Sequence, residues 1–133
     1  MILNVLTPYG AKFEGLEISA VTLPGEVGEM QILPGHESMM AALKVGIMIV
    51  TDTSGNIQVA AVSGGYVEVL EDTINCLIET CELKYEIDVE RARQKLQEDN
   101  QALEGLDPNT SEYQARLNSR TKAELRIELG TRK

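Results

Sequence analysis

The sequence predicts two parts, an all-β antiparallel sandwich or barrel over residues 1–86 and an antiparallel αα-hairpin over residues 87–133. Three observations support this division. Short apolar or β-branched stretches separated by turn residues fill the first part. Apolar residues at helical spacing fill the second part. Glycine content and charge change where the two parts meet, at about residues 84–88. The length of 133 residues excludes a large multidomain enzyme.

Strand signals in the first part consist of apolar stretches bounded by Gly, Pro, Asn or Asp. They cover residues 2–7, 17–23, 46–51, 57–63, 66–70 and 73–79. Ile74, Cys76 and Ile78 alternate with other residues, as in a strand with one buried face. Gly64 and Gly65 are expected to break the strand between residues 63 and 66, at a bulge, a turn or a close backbone approach.

The second part carries start and stop signals for two helices. Asp88 is a good N-cap, and apolar residues recur at helical spacing from there to Gly105. Thr110 or Ser111 can cap a second helix, for which Gly130 is the expected stop. The apolar stripe of the second helix is thin. The hairpin should therefore depend on packing against the sandwich or a partner.

The formal net charge of −9 belongs wholly to the first part. Residues 1–86 hold three lysines and twelve acids, whereas residues 87–133 hold nine bases and nine acids, including all six arginines. An acidic domain argues against a nucleic-acid partner, because phosphate binding relies on clustered Lys and Arg. The sequence has no membrane-length apolar run and no signal-peptide pattern, so we expect a soluble chain made in the cytoplasm.

The residues that often carry chemistry are few. Cys76 and Cys81, with a single histidine in the chain, are too few for a structural zinc site and are expected to be reduced and buried. His36 lies next to Glu37 and Ser38, but such close neighbours rarely adopt the geometry of a nucleophile and its base. The residues alone therefore predict a noncatalytic interaction module without a metal.

Three segments, in order along the chain, resemble signatures of the epsilon-subunit family of F-type ATP synthases. They are GEVGEMQILPGHESMMAAL at residues 25–43, VSGGYVEV at residues 62–69 and IDVERA at residues 87–92. The resemblance implies a ten-stranded N-terminal sandwich and a C-terminal helical hairpin. It also implies a noncatalytic rotor subunit that couples ion translocation to ATP synthesis and inhibits ATP hydrolysis through the hairpin. Gln31, Glu37 and Ser38 depart from the family pattern and make this loop more acidic.

The same resemblance implies partners and a location. The sandwich would bind the gamma subunit and the ring of c subunits through a contact loop that contains Glu29, Met30, Gln31, His36, Met39 and Met40. The extended hairpin would contact the catalytic alpha and beta subunits through Arg116, Arg120, Lys122 and Arg126. The chain would lie at the cytoplasmic face of the bacterial membrane, attached only through the complex.

An alternative function is a stand-alone ATP sensor, because some family members bind ATP weakly as a regulatory ligand. No other cofactor is expected. The residues implied for this site are Glu82, Ile87, Asp88, Arg91, Ala92, Arg116, Arg120 and Arg126. A purely structural interpretation of the same residues stays open. In that interpretation Asp88 caps the helix, Arg91 pairs with a nearby acid, and the later arginines form intrahelical pairs such as Arg120 with Glu124.

Overall fold

A computed structural model describes residues 1–132, which divide into two compact units. The first unit runs from Met1 to Lys84 and the second begins at Tyr85. The first consists of strands, and the second contains two helices that pack as a hairpin. The predicted fold class is confirmed.

The first unit contains seven strands among the described residues. They are β1 (Ile2–Thr7), β2 (Gly10–Gly25), β3 (Gly28–Ile32), β4 (Met39–Asp52), β5 (Ile57–Leu70), β6 (Thr73–Ile78) and β7 (Cys81–Leu83). A short 3₁₀ helix, Lys84–Glu86, follows the last strand, and the hairpin helices are α1 (Val89–Glu104) and α2 (Ser111–Thr131). The strands number fewer than the ten expected because β2, β4 and β5 are long. For example, β2 pairs with β1 near its start and with β4 and β3 farther on.

The sheet closes on itself. Its strands follow the order β1-β6-β5-β4-β2-β3, and β1 also pairs with β2, so β1, β2, β4, β5 and β6 form a ring. β3 extends the sheet beyond β2, and β7 pairs with β5. All pairs are antiparallel except β1 with β6, which are parallel. The expectation of a wholly antiparallel sheet was wrong for this pair, because direction cannot alternate all the way round a ring with an odd number of strands.

The interior of this ring is the main hydrophobic core. Alternate residues of each strand enter it, as the sequence predicted for Ile74, Cys76 and Ile78 of β6, which are all buried. Leu3 and Val5 supply the same alternation from β1. Successive side chains of a strand point to opposite faces of the sheet. The residues between the buried ones therefore point outward from the ring.

Gly64 and Gly65 do not interrupt β5, so the expected break was wrong. The strand continues through both residues with left-handed φ values of +105° and +146°. A Cβ at Gly65 would overlap the carbonyl oxygen of Leu77 and lie 2.9 Å from the Cα of Ile78. A close backbone approach, one of the three expected possibilities, is therefore what this glycine provides.

Both helices begin at the predicted caps. The Asp88 carboxylate accepts a hydrogen bond from the backbone N–H of Arg91 at 3.1 Å. The Thr110 hydroxyl oxygen accepts one from the N–H of Tyr113 at 3.2 Å. These bonds satisfy N–H groups that have no partner inside the first turn of a helix. Gly105 ends α1 as expected.

Gly130 is not the stop of α2, which continues to Thr131. A Cβ at Gly130 would lie 2.5 Å from Cγ2 of Val89 and 3.1 Å from Cγ2 of Ile87. The residue is therefore needed for the close approach of the two helix ends, not for termination. Sequence signals for the two roles are the same, since both call for the smallest side chain.

Replacement of Gly65 by alanine should destabilise the first unit strongly. Its left-handed φ costs a non-glycine residue about 1 kcal/mol, and the overlap with Leu77 adds about 2–3 kcal/mol because the backbone must shift. Gly55→Ala is the matched control, since Gly55 also has a left-handed φ, +88°, but nothing lies within 4 Å of its Cβ position. Chemical denaturation of both variants measures the difference, and equal losses of unfolding free energy would contradict this account.

Candidate functional site

The predicted contact loop begins on β3, which is the last strand in the order of the sheet. Glu29 and Gln31 are exposed on this strand, and Met30 between them is half-buried and packs against the core. β3 pairs with β2 through Met30 and Leu23. The strand therefore displays two polar side chains and uses its methionine as an anchor.

The rest of the loop is exposed and leads into β4. His36 lies in the exposed turn, where its Nδ1 is 2.8 Å from the carbonyl oxygen of Glu37. Met40 is 72% exposed, but Met39 is half-buried against the core. Of the three methionines in the predicted contact loop, two are thus half-buried and Met40 is widely exposed. The structure brings the six predicted residues to one strand, one turn and the start of one further strand.

A second surface of the first unit was missed by the sequence analysis. Tyr66 of β5 lies directly opposite Leu77 of β6, and Leu77 lies opposite Leu6 of β1. Their exposed fractions are 61%, 59% and 43%, respectively. We call these three residues the outer apolar row. Direct cross-strand neighbours have Cβ atoms about 5 Å apart, so the three side chains form one continuous patch on the outside of the sheet.

The surroundings of the outer apolar row extend this patch. Leu6 and Leu77 also line an open groove of about 430 Å³ with Thr7, Pro8 and Glu79 among its other walls. On the same face, the next cross-strand row is polar: the Asn4 side-chain amide donates a hydrogen bond to the Asn75 oxygen at 3.0 Å. A contiguous exposed apolar patch with a polar border is typical of a protein interaction surface.

The signal for this row was present in the sequence. Burial of Val67 and of the alternate residues of β6 places Tyr66 and Leu77 on the outside. Large apolar side chains at outward positions indicate a contact surface. What the sequence could not supply was the pairing register that sets Tyr66, Leu77 and Leu6 side by side, because it depends on the closure of the ring.

The predicted nucleotide segment has mixed accessibility. Asp88 and Arg91 are exposed, Ile87 is half-buried, and Ala92 is buried inside the hairpin. Glu82 belongs to the first unit, on β7, and is half-buried. The structure therefore leaves Asp88 and Arg91 as the accessible groups of this segment, and the Asp88 carboxylate already caps α1.

An open groove of about 570 Å³ runs along the first turns of α1. Its lining residues are Asp88, Glu90, Arg91, Arg93, Gln94 and Gln97. Two acids and two arginines balance in charge, and Arg93 Nη1 lies 2.7 Å from Glu90 Oε1. Arg91 is the groove's other cation, close to the N-terminus of a helix, where anions are favoured.

The four basic side chains of α2 that were predicted as contacts all interact with other groups. Arg116 Nη1 lies 3.0 Å from Asp99 Oδ1, and Arg120 Nε lies 3.5 Å from Glu124 Oε1, the intrahelical pair that the sequence predicted. Lys122 and Arg126 also interact with other groups. The structure therefore does not present these four residues as a set of unpaired charges. Binding of an external anion would have to compete with these internal contacts.

Asp99 is the site residue that the sequence analysis missed. It is the one polar or charged side chain buried within residues 1–132, with 0% of its surface exposed. The signal was its spacing, because Asp99 follows Leu96 by three residues and precedes Leu103 by four, so it continues the inner stripe of α1. An acid in such a stripe indicates a buried partner, which the sequence alone does not identify.

The protonation of Asp99 is set by opposing effects. Burial raises the pKa of its carboxyl, but hydrogen bonds from Ser119 and Arg116 and the positive charge of Lys95 lower it. The lowering effects prevail, so the pKa lies below the ordinary value of 3.8. Asp99 is therefore ionised at neutral pH and pairs with Arg116 as a carboxylate.

Three further observations bear on the kind of site. Within residues 1–132, no three His, Cys, Asp or Glu side chains are placed to hold a metal ion. Cys76 and Cys81 are free and buried, and burial raises the pKa of the Cys76 thiol to about 12, which makes it unreactive. Neither helix of the described residues is long and apolar enough to span a membrane.

Comparison with known proteins shows similarity over nearly the whole chain. Residues 1–84 match the family described as "ATP synthase, Delta/Epsilon chain, beta-sandwich domain". The "ATP synthase epsilon chain" of Geobacter metallireducens is 34% identical over 126 residues, which cover 95% of this chain and 90% of that protein. The protein of the same name from Staphylococcus haemolyticus is 34% identical over 125 residues, with coverage of 94% and 93%.

Two solved structures show the same fold. A chain of the Euglena gracilis mitochondrial ATP synthase, described as OSCP/F1/c-ring in rotational state 1, aligns with a TM-score of 0.73 and 23% identity, covering 96% of this chain and 75% of its own. A chain of the Tetrahymena thermophila mitochondrial ATP synthase, described as central stalk/c-ring, aligns with a TM-score of 0.67 and 16% identity, covering 98% and 96%.

Proposed function

Since this chain belongs to the epsilon-chain family of the ATP synthase, we propose that it is a noncatalytic subunit of the rotating central stalk. It couples ion translocation to ATP synthesis through the first unit and restrains ATP hydrolysis through the hairpin. The observation that carries this proposal is the outer apolar row, an exposed patch of the kind that is typical of protein interaction surfaces.

The outer apolar row is the proposed binding surface for the gamma subunit. Tyr66, Leu77 and Leu6 form a rigid patch because each belongs to a strand paired on both sides. Tyrosine is one of the residues that protein interfaces favour at their centres, and the two leucines beside it add apolar area. A permanent partner would also protect this face from aggregation.

The contact loop is the proposed surface for the ring of c subunits. Its exposed members, Glu29, Gln31, His36 and Met40, provide polar groups and one flexible apolar side chain. The first part of the chain carries the whole net charge of −9, which disfavours direct contact with anionic lipid headgroups. This charge favours attachment through the protein ring, and we propose that the chain lies at the cytoplasmic face of the membrane.

The hairpin is the proposed inhibitory element. Arg116, Arg120, Lys122 and Arg126 would bind acidic side chains of the catalytic alpha and beta subunits when α2 extends away from α1. Each of these basic residues already interacts with groups of this chain. Exchange of Asp99 for an external acid keeps Arg116 paired, so the extended state does not carry the full cost of an unpaired arginine.

The Leu77→Glu substitution should weaken binding of the chain to the gamma subunit by about tenfold or more, because it places a charge at the centre of the outer apolar row. Ile57→Glu is the matched control, since Ile57 is 64% exposed but lies at the other end of β5. Binding of both purified variants to gamma is measured by titration. Equal affinities would rule out the outer apolar row as the gamma surface.

Deletion of residues 88–133 should leave assembly of the complex intact and raise its rate of ATP hydrolysis severalfold. The reason is that the first unit contains its own core and both proposed rotor contacts, whereas the deleted residues contain the proposed inhibitory side chains. Steady-state hydrolysis by the reconstituted complex is the measurement, with assembly checked by copurification of the other subunits. An unchanged rate in a fully assembled complex would contradict an inhibitory hairpin.

Weak ATP binding is the proposed regulatory property of the groove on α1, with Arg91 as the phosphate-binding residue. Calorimetric titration of the full chain with millimolar ATP should give heat that is lost in Arg91→Ala. Arg132→Ala is the control, because Arg132 is an exposed arginine paired with Glu128 at the far end of α2. The same heat from Arg91→Ala would remove Arg91 as the phosphate-binding residue, and no heat from the natural sequence would also remove the stand-alone sensor.

A further inference from the structure

A single buried carboxylate bridges the two helices of the hairpin. Asp99 Oδ1 accepts a hydrogen bond from Arg116 Nη1 at 3.0 Å, and Oδ2 accepts one from the Ser119 hydroxyl at 2.7 Å. Lys95 Nζ, one turn earlier on α1, lies 3.8 Å from Oδ1. Both oxygens of the acid are thus engaged, and both direct donors belong to the opposite helix.

The geometry of this bridge fixes the register of the helices. Arg116 and Ser119 are three residues apart, so they lie on the same face of α2. Each donates to a different oxygen of one carboxylate. A slide of α2 by one residue would rotate both donors away from Asp99. The bridge is therefore specific to one arrangement of α1 and α2.

Few apolar side chains of the hairpin are fully buried. In the described part of this unit they are Ala92, Leu103, Ala123 and Leu129, and two of these are alanines. Burial of apolar surface is normally the dominant force that holds helices together. With so few fully buried apolar side chains, the charged bridge is an important contact between the two helices.

Removal of one partner from such a bridge is costly while the helices remain together. Asp99 without Arg116 would be an ionised carboxylate with no exposed surface, which is strongly destabilising. Arg116 without Asp99 is a different case, because its side chain is 42% exposed. In a closed hairpin, removal of the arginine therefore costs more free energy than removal of the carboxylate.

We propose that Asp99 is the latch of the hairpin: it holds α1 and α2 together through Arg116 and keeps that arginine from acidic groups of other chains. Separation of the helices breaks the bridge, hydrates Asp99 and frees Arg116 for an external acid. The regulatory part of this proposal rests on the proposed inhibitory function of the hairpin, whereas the latch itself is a property of the isolated chain.

The latch is tested by the distance between two spin labels on the full-length chain, one on each helix. Gln94→Cys and Thr121→Cys place the labels at exposed positions, and Cys76 and Cys81 are buried. Asp99→Asn retains the size of the side chain but removes its charge, and it should raise the ratio of separated to packed helices by about tenfold or more, since charge-assisted hydrogen bonds are lost. Pulsed electron resonance records the change as a loss of the short distance.

Three further variants make the result interpretable. Glu98→Gln removes the same charge from the neighbouring exposed residue and should leave the distances unchanged. Arg116→Gln breaks the same ion pair by a change at its half-exposed member, and it should also separate the helices. This second variant keeps the test valid if Asp99→Asn reduces the helical content. The double variant Asp99→Asn with Arg116→Gln should separate them no more than Arg116→Gln alone. Unchanged distances in both single variants, or fully additive effects, would overturn the latch.

The outcome separates this inference from the proposed function. If deletion of residues 88–133 leaves ATP hydrolysis unchanged while Asp99→Asn separates the labels, the inhibitory function fails and the latch is supported. If the deletion raises hydrolysis but neither Asp99→Asn nor Arg116→Gln changes the label distances, the latch is overturned and the inhibitory function is supported. In the assembled complex, Asp99→Asn should strengthen the inhibition of ATP hydrolysis. Addition of Arg116→Gln to that variant should abolish the increase in inhibition.

Discussion

Closure of the sheet through β1 is the constraint on which the first unit depends. β1 pairs with β2 on one side and with β6 on the other, and without it the ring would be an open sheet with two long edges. Closure determines which residues face inward. It also places Leu6 next to Leu77, so the outer apolar row is a result of the same pairing that completes the core. Fold and proposed interface therefore share one structural cause.

Local signals in the sequence predicted most of the elements. The caps Asp88 and Thr110 were identified because N-capping depends on one side chain and the N–H groups that follow it. The strands around Val67 and Ile74 were identified because burial of one sheet face imposes a period of two. β3 and β7 were missed, since they are short and gain their strand conformation from pairing with β2 and β5.

Features that depend on contacts distant in sequence were not predictable in the same way. The parallel pairing of β1 with β6 follows from ring closure, and the role of Gly130 follows from the position of Val89 at the other end of the hairpin. The candidate site also contains some features that local sequence signals predict and others that depend on distant contacts. The accessible residues of the contact loop were found by motif, whereas the outer apolar row and the Asp99 bridge each require a register between elements that only the folded chain defines.

The first unit and the hairpin are each stabilised internally by a different kind of contact, and this difference affects how their stabilities depend on temperature. Apolar contacts weaken as water cools, because the hydrophobic effect is largely entropic near room temperature. A helix pair that fully buries four apolar residues and is joined by a carboxylate, a guanidinium and a hydroxyl group exposes less apolar surface on opening than the first unit exposes on unfolding, so its heat-capacity change is smaller. The enthalpy of opening should then vary little with temperature, so the logarithm of the ratio of closed to open hairpins should follow a nearly straight line against inverse temperature.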